Sequence, residues 1–355
     1  MKRISITCKV FLTLAMIAYA APLYAGEEGE AKVTGKIFTQ LYYDLTDDST
    51  ITKKSAVELT RAYLGGKYTL NDQFTINLIL DVERLNELTD VTYTLDTATM
   101  KLTKKATKNE LYEAFLKNAY LEWKGLIPIT TLNLGVIGGI AFGPQEKFWG
   151  YRYIYKSFMD QNKYAQSADL GLSAKVKVSD FIAVNAAVTQ GEGYKKPQDA
   201  YGQYQTGLGL EINPLKGLQA YLYGDIMPVK TPGTDSASVV TATAFVGYEM
   251  KDKGKVGVEY VMQGNRGGFD SCDVSGISAY VSTVVLKPVE IFARVDVAQS
   301  NNDWNILSDG QTIIGGVHYS PVKNVKTALD VQTFMPAIAG AIRQTKVFLN
   351  TEFSF

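Results

Sequence analysis

Strict two-residue alternation of apolar and polar positions recurs along most of the chain. Phe74, Ile76, Leu78, Leu80 and Val82 alternate with Thr75, Asn77, Ile79, Asp81 and Glu83. Ala168, Leu170, Leu172, Ala174 and Val176 alternate with Asp169, Gly171, Ser173, Lys175 and Lys177; Tyr204, Thr206, Leu208, Leu210 and Ile212 alternate with Gln203, Gln205, Gly207, Gly209 and Glu211. Ile291, Ala293, Val295 and Val297 alternate with Glu290, Phe292, Arg294 and Asp296. Successive side chains of a strand point to opposite faces, so each run predicts a strand with one apolar and one polar face. The spacings of three and four that a helix requires are missing from these segments. The runs beginning at Val33 and at Leu111 mix residue types on both faces, and their parity stays open.

The gaps between runs alternate in length. Short ones fall at Asn71-Asp72-Gln73, 125–130, 178–180, 213–216, 251–254, Lys287-Pro288 and 320–324. Long ones centre on 46–55, 84–108, 143–165, 191–202, 229–238, 264–273, 300–311 and 333–342. Seven short turns and eight long loops separate 16 strands. An even number of antiparallel strands, with short turns at one end and long loops at the other, predicts an all-β, up-and-down transmembrane barrel. The apolar face meets lipid and the polar face lines the lumen. Tyr68, Phe74, Trp123, Tyr248, Tyr319 and Phe355 all fall on the lipid-facing parity beside a short turn, where aromatic rings form an interfacial girdle.

Composition agrees. Charged residues make up 20% of the chain and mean hydropathy is −0.05, which excludes a bundle of apolar helices and leaves the barrel, where only alternate residues face lipid. Lys2 and Arg3, an apolar run over about 10–21 and Leu23-Tyr24-Ala25 read as a signal peptide spanning residues 1–25, with the barrel over 26–355. Losing Lys2, Arg3 and Lys9 takes the neutral precursor to −3, too little to imply a nucleic-acid or other polyanionic partner. Cys8 leaves with the leader, so Cys272 has no partner for a bridge. Only Gly26 to about Glu30 precede the first strand, which leaves no expected plug.

A barrel of this width cannot be filled by its own side chains and should hold water. Inward basic positions are Lys36, Arg61, Lys67, Lys175, Lys177, Lys255, Arg294, Lys326 and Lys346. Inward acidic ones are Asp81, Glu83, Glu122, Asp169, Glu211, Asp225, Glu249, Glu259, Asp296, Asp330 and Glu352. The signs nearly balance, so the wall alone predicts weak charge selectivity. The third long loop is different. Phe148, Trp149, Tyr151, Tyr153, Tyr155 and Phe158 make it too apolar to stand in water, so it is expected to fold into the lumen. Its charges between 144 and 166 are Glu146, Lys147, Arg152, Lys156, Asp160 and Lys163, a balance of +2. As a constriction it would bring Lys147, Arg152 and Lys156 opposite Glu146 or wall acids such as Asp81, with Trp149 and Tyr151 beside them. Opposed charges favour polar solutes, and the +2 suggests a slight anion preference. The same charges could equally pin the loop to the wall. The rings could also stack on sugars.

The closing run Thr351-Glu352-Phe353-Ser354-Phe355 resembles the last strand of bacterial outer-membrane proteins. That resemblance implies that Phe353 and Phe355 act as a signal to the barrel-assembly machinery, in a membrane of lipid and lipopolysaccharide. In strand number, loop order and inward third loop, the chain resembles the 16-stranded general porins. It lacks their Pro-Glu-Phe-Gly-Gly run, which leaves the shape of the constriction open. Thr60-Arg61-Ala62-Tyr63-Leu64 and Trp149-Gly150-Tyr151-Arg152 are similar to segments of a porin-like family that includes phosphate-selective porins. Phosphate selectivity is not carried over, since no ladder of inward Lys and Arg lines one path. The porin resemblance implies a homotrimer. The small outward faces Ile182-Val184-Ala186-Val188 and Ala242-Ala244-Val246 suit such a contact and equally suit lipid.

Catalysis and cofactors find little support. The single histidine, His318, is expected on the inward face, as are Ser278 and Ser282, and nothing in the sequence brings them together. No zinc-type Cys/His spacing occurs. Asp270 with Asp273, and Asp303 with Asp309, are weak Ca2+ candidates. Three functions remain: a passive channel for small hydrophilic solutes, a channel specific for oligosaccharides or anions, and a structural or adhesive barrel.

Overall fold

The computed structural model describes residues 29–355 except 50, 52, 85–87, 97–100, 109–110, 200 and 231–235, with backbone alone for 88–96 and 101–108. The expected leader, residues 1–25, lies outside the described residues. The strands are β1 (Glu30–Asp44), β2 (Ser55–Thr69), β3 (Phe74–Arg84), β4 (Leu88–Asp96), β5 (Lys101–Lys108), β6 (Tyr112–Lys124), β7 (Thr130–Gly138), β8 (Ala168–Lys177) and β9 (Ile182–Thr189). They continue as β10 (Gln205–Leu215), β11 (Leu218–Met227), β12 (Val239–Met250), β13 (Gly254–Gly264), β14 (Val274–Leu286), β15 (Val289–Ser300), β16 (Gly310–Val322), β17 (Val325–Pro336) and β18 (Gln344–Ser354).

Among the described residues, sixteen of these close one antiparallel barrel, each strand pairing with its neighbour in the chain and β18 pairing with β1. The exceptions are β4 and β5, which form a separate hairpin within the second long loop, so β3 pairs directly with β6. The sequence predicted that segment only as a long loop. All seven short turns fall within three residues of the expected positions, the strands around 213–216 and 320–324 running further into the turn than the sequence suggested. At the seam, Gly35 and Phe355 exchange two backbone hydrogen bonds of 3.0 Å. A Cβ on Gly35 would lie 2.1 Å from the Phe355 ring, so only glycine lets that ring lie flat on β1.

The two faces of the wall are chemically distinct. Ile277, Val281, Ile291, Val295 and Leu349 are exposed, whereas their alternates Ser278, Ser282, Phe292, Arg294 and Asn350 are buried. The exposed apolar face is the outer one. The girdle residues sit at the short-turn end, where Phe74 and Trp123 form a cross-strand pair with centroids 5.2 Å apart. Leu222, midway along β11 and flanked by outward Leu210 and Ala244, tests the assignment. Leu222→Arg should destabilise a lipid-inserted barrel by about 2–4 kcal/mol. Inward Gln219→Arg should stay within about 0.5 kcal/mol. Denaturant unfolding in lipid reads the difference, and equal costs would reject the outer-face assignment.

The open parities have physical causes. In β6 the register against β3 shifts between Asn118 and Leu116, leaving Lys117 as an extra bulged residue. A bulge moves every later side chain to the other face. A second shift in β2 leaves Thr60 unpaired between Leu59 and Arg61. In β1 the inward face carries Phe38, an apolar ring that is buried in the interior rather than wetted.

Candidate functional site

The third loop, residues 139–167, begins with a short helix α1 (Gly143–Trp149). Pro144 occupies its first turn, where the missing N–H costs nothing, and it ends on left-handed Gly150, whose N–H bonds the Glu146 carbonyl at 3.1 Å. A single turn, α2 (Phe158–Gln161), follows. Trp149, Tyr151, Tyr153, Phe158, Met159 and Tyr164 are all buried. They form one cluster with Tyr221, Phe245, Val261, Tyr280, Phe292, Ile314 and Ala328, inward side chains of β11 through β17. Trp149 lies 4.7 Å from the Tyr280 ring and 5.1 Å from Tyr151, and Tyr151 stacks on Phe292 at 5.2 Å. Full burial of such side chains contributes about 1.5–3 kcal/mol each. Gly276 makes room for Phe158, whose ring would lie 2.3 Å from a Cβ there.

Polar groups fix the loop in register on the same wall. Lys255 Nζ donates to the Trp149 carbonyl (2.8 Å), Arg294 to the Lys156 carbonyl (2.8 Å) and Gln332 to the Ile154 carbonyl (3.3 Å). Gln145 reaches Glu259 at 3.1 Å, and Gln263 reaches the Tyr164 carbonyl at 2.8 Å. The Tyr151 hydroxyl donates to Glu290, and the Tyr153 hydroxyl lies 2.7 Å from His318 Nδ1. His318 therefore has a loop tyrosine as its partner. Arg294 also forms a two-pronged pair with Asp296, at 2.8 and 2.7 Å, and lies 5.0 Å from the Trp149 ring.

The loop's other side faces β1, β2 and β18. A cleft of about 260 Å3 lies there, lined by Phe38, Gln40, Arg61, Arg152, Lys156 and Phe348 among others. Arg152 pairs with Glu146 and Asp160 of its own loop and approaches the Tyr63 hydroxyl at 3.5 Å. Burial favours the neutral form of Asp160, but Arg152 and Lys156 outweigh it and hold the carboxyl below its usual range. Lys156 makes no ion pair among the described residues. Burial pulls its ammonium below the ordinary lysine value, partly offset by Asp160 and reinforced by Arg61 and Arg152. On the wall, Arg61 bridges Asp81 and Glu83 at 2.7 Å each, and Lys117 stands 3.7 Å from Asp81. The fourth long loop, residues 190–204, reaches the same two acids: the Tyr194 hydroxyl donates to Asp81 at 2.8 Å and Lys195 pairs with Glu83.

The expected site residues thus separate into groups. Trp149 and Tyr151 are packed into the wall and do not line the cleft. Lys147 is exposed and has no ion-pair partner among the described residues. The expected opposition of Arg152 to Glu146 across an opening is instead a pair within one loop. Among the wall residues, Arg294 and Asp296 are buried beneath the third loop, and Asp330 is buried with Gln332 and Asn350 as partners. Lys346 stands 3.4 Å from Asp44, near the long-loop end. Sequence reasoning missed Tyr63, Lys117, Tyr194 and Lys195; the mixed faces of the run from Leu111 were the available sign of the Lys117 bulge. The Ca2+ candidates Asp273 and Asp309 serve loop backbone, accepting from the Asn265 N–H (3.0 Å) and the Ser300 N–H (2.9 Å).

No protein-family model and no curated protein sequence matches the chain. Solved structures do. The outer membrane channel DcaP of Acinetobacter baumannii is similar with a TM-score of 0.66 at 10% identity, over 94% of this chain and 99% of that one. OmpF of Salmonella typhi, solved in complex with daunomycin, gives 0.63 at 12% identity, over 92% and 97%. A mutant of the Rh. blastica porin gives 0.54 at 12% identity, over 92% and 100%. At such identities the likeness is one of fold, and the fold of this chain is that of the sixteen-stranded outer-membrane porins.

Proposed function

We propose that the chain is a passive outer-membrane channel through which small hydrophilic solutes and ions diffuse, narrowed where the third loop faces β1 and β2. The observation that carries this reading is a closed barrel with an apolar outer face and a polar, ion-paired inner one. In this reading residues 1–25 direct export and are removed. The outer face contacts lipid and lipopolysaccharide, and Phe353 and Phe355 are read by the barrel-assembly machinery. A homotrimer is part of the proposal; OmpT of Vibrio cholerae, similar in fold at 13% identity, has been solved in a trimer form. Arg61, Arg152 and Lys156 with Asp81, Glu83 and Glu146 form the proposed constriction. Trp149 and Tyr151 serve it as anchors.

A second reading, a channel specific for anions, is favoured by one observation: Arg61, Arg152 and Lys156 all line the cleft, and no carboxylate residue lines it. Planar-bilayer recordings of the refolded barrel test both. Ohmic conductance with a small anion-favouring reversal potential in KCl is expected of the passive channel. Saturable block by phosphate at low concentration would replace it with the specific one. Absence of conductance would reject both in favour of a structural or adhesive barrel.

A further inference from the structure

With the third-loop rings packed away, the exposed rings on the inner side of the barrel lie elsewhere. A cavity of about 490 Å3 opens at the long-loop end, between the close of the third loop (161–164), the loop 265–273 and the loop 301–309. Its floor is Val274 and Ala298, both on the inward parity of β14 and β15, so it belongs to the vestibule and not to the lipid face. Phe269 and Trp304 line it and are 65% and 40% exposed, which leaves apolar ring surface in water. Trp304 is held: its Nε1–H donates to the Asp273 carbonyl at 2.9 Å, which fixes the plane of the indole. Arg266 is held as well, 5.3 Å over the Tyr164 ring and 2.5 Å from the Asn162 carbonyl. Gln161, Lys163 and Asn305 also line the cavity.

We infer that this vestibule cavity is a saccharide-docking site. Exposed rings, that of Trp304 fixed by its hydrogen bond, beside residues with amide and ammonium side chains match the two-sided chemistry of a pyranose, with C–H groups on its face and hydroxyls on its edge. The volume suits a short oligosaccharide, since ligand pockets run from about 300 to 1,000 Å3. The site does not depend on the channel reading, because it lies above the cleft and shares no residue with it except Gln161.

The test is intrinsic tryptophan fluorescence of the refolded full barrel titrated with maltotriose, with sorbitol as an acyclic control. The other two tryptophans are Trp123, at the short-turn end, and buried Trp149. A saturable change with maltotriose and none with sorbitol is expected. W304F should remove the signal, and N305A, which keeps the reporter, should weaken the apparent affinity about tenfold, equivalent to about 1.4 kcal/mol. KCl conductance of both variants should match wild type, which also establishes that they fold. No saturable change in the wild type, an equal response to sorbitol, or a signal that persists in W304F would overturn the inference. Saccharide binding without conductance would leave it standing while rejecting the channel.

Discussion

Replacing Trp149 with alanine is expected to free the third loop from the inner wall and raise single-channel conductance while the barrel stays intact. The indole is among the most buried side chains of the described residues, and it touches several of the groups that hold the loop to the wall. Its face receives Arg294, it packs at steep angles against Tyr280 and Tyr151, and its Nε1–H closes the loop on the Tyr155 carbonyl at 2.8 Å. Truncating a buried tryptophan costs about 3–5 kcal/mol. That cost falls on the loop, because none of these contacts belongs to the strand ladder, and proteins open locally where the lost interactions are local. Arg294→Ala should act in the same direction for a different reason: it leaves Asp296 buried without its counter-ion, worth about 3–5 kcal/mol, and removes the donor to the Lys156 carbonyl. The two residues touch, so the double variant should fall well short of the sum. Larger and noisier currents, with unfolding of the barrel unshifted in denaturant, are the expected readout. Conductance equal to wild type in both variants would mean that the third loop does not set the width of the passage.

Barrel architecture was legible because it depends on period and spacing alone. A run such as Ile291 to Val297 states its own faces, and the gap lengths state which end each connection occupies. The inner face was legible only in part. Phe38, Phe245 and Phe292 point inward against the simple polar-lumen rule because a second layer, the third loop, covers them, and the identity of that cover is a tertiary fact. Lys117 was hidden by a bulge, which inserts one residue without any composition of its own. The cluster around Asp81 escaped for another reason. It draws Arg61 from β2, Lys117 from β6 and Tyr194 from the loop after β9, and chain distance gives no hint of their convergence. The apolar character of the third loop did predict burial. It could not say which rings would anchor and which side chains would be left facing the cleft, because that depends on the handedness of α1 and on where Gly276 makes room for Phe158.

Charge at the cleft leads to the last expected result, reversal of ion preference by a single substitution at Lys156. The cleft is lined by Arg61, Arg152 and Lys156, and the charged network that they join adds Lys117 and Lys195 on the positive side and Asp81, Glu83, Glu146 and Asp160 on the negative. Each carboxylate is paired, while Lys156 stands without an ion-pair partner among the described residues, so it carries the surplus of one positive charge. K156E moves the local charge by two units, from +1 to −1. At about 6 Å in water-like dielectric one unit is worth about 0.7 kcal/mol to a passing ion. Acting with opposite sign on anion and cation, and halved by salt screening, the change amounts to about tenfold in their permeability ratio. The sign of the reversal potential in a KCl gradient should therefore switch. K156R should preserve the wild-type preference. pH supplies an independent check. Burial lowers the Lys156 value below that of an ordinary lysine, so its charge is present at neutral pH and is lost as pH rises, before exposed lysines titrate. Wild-type anion preference should decline over that range, and K156R should hold constant through it, because a guanidinium keeps its proton. An unchanged reversal potential in K156E, with conductance intact, would remove this lysine from the ion path and leave Arg61 and Arg152 as the cations that face the solute.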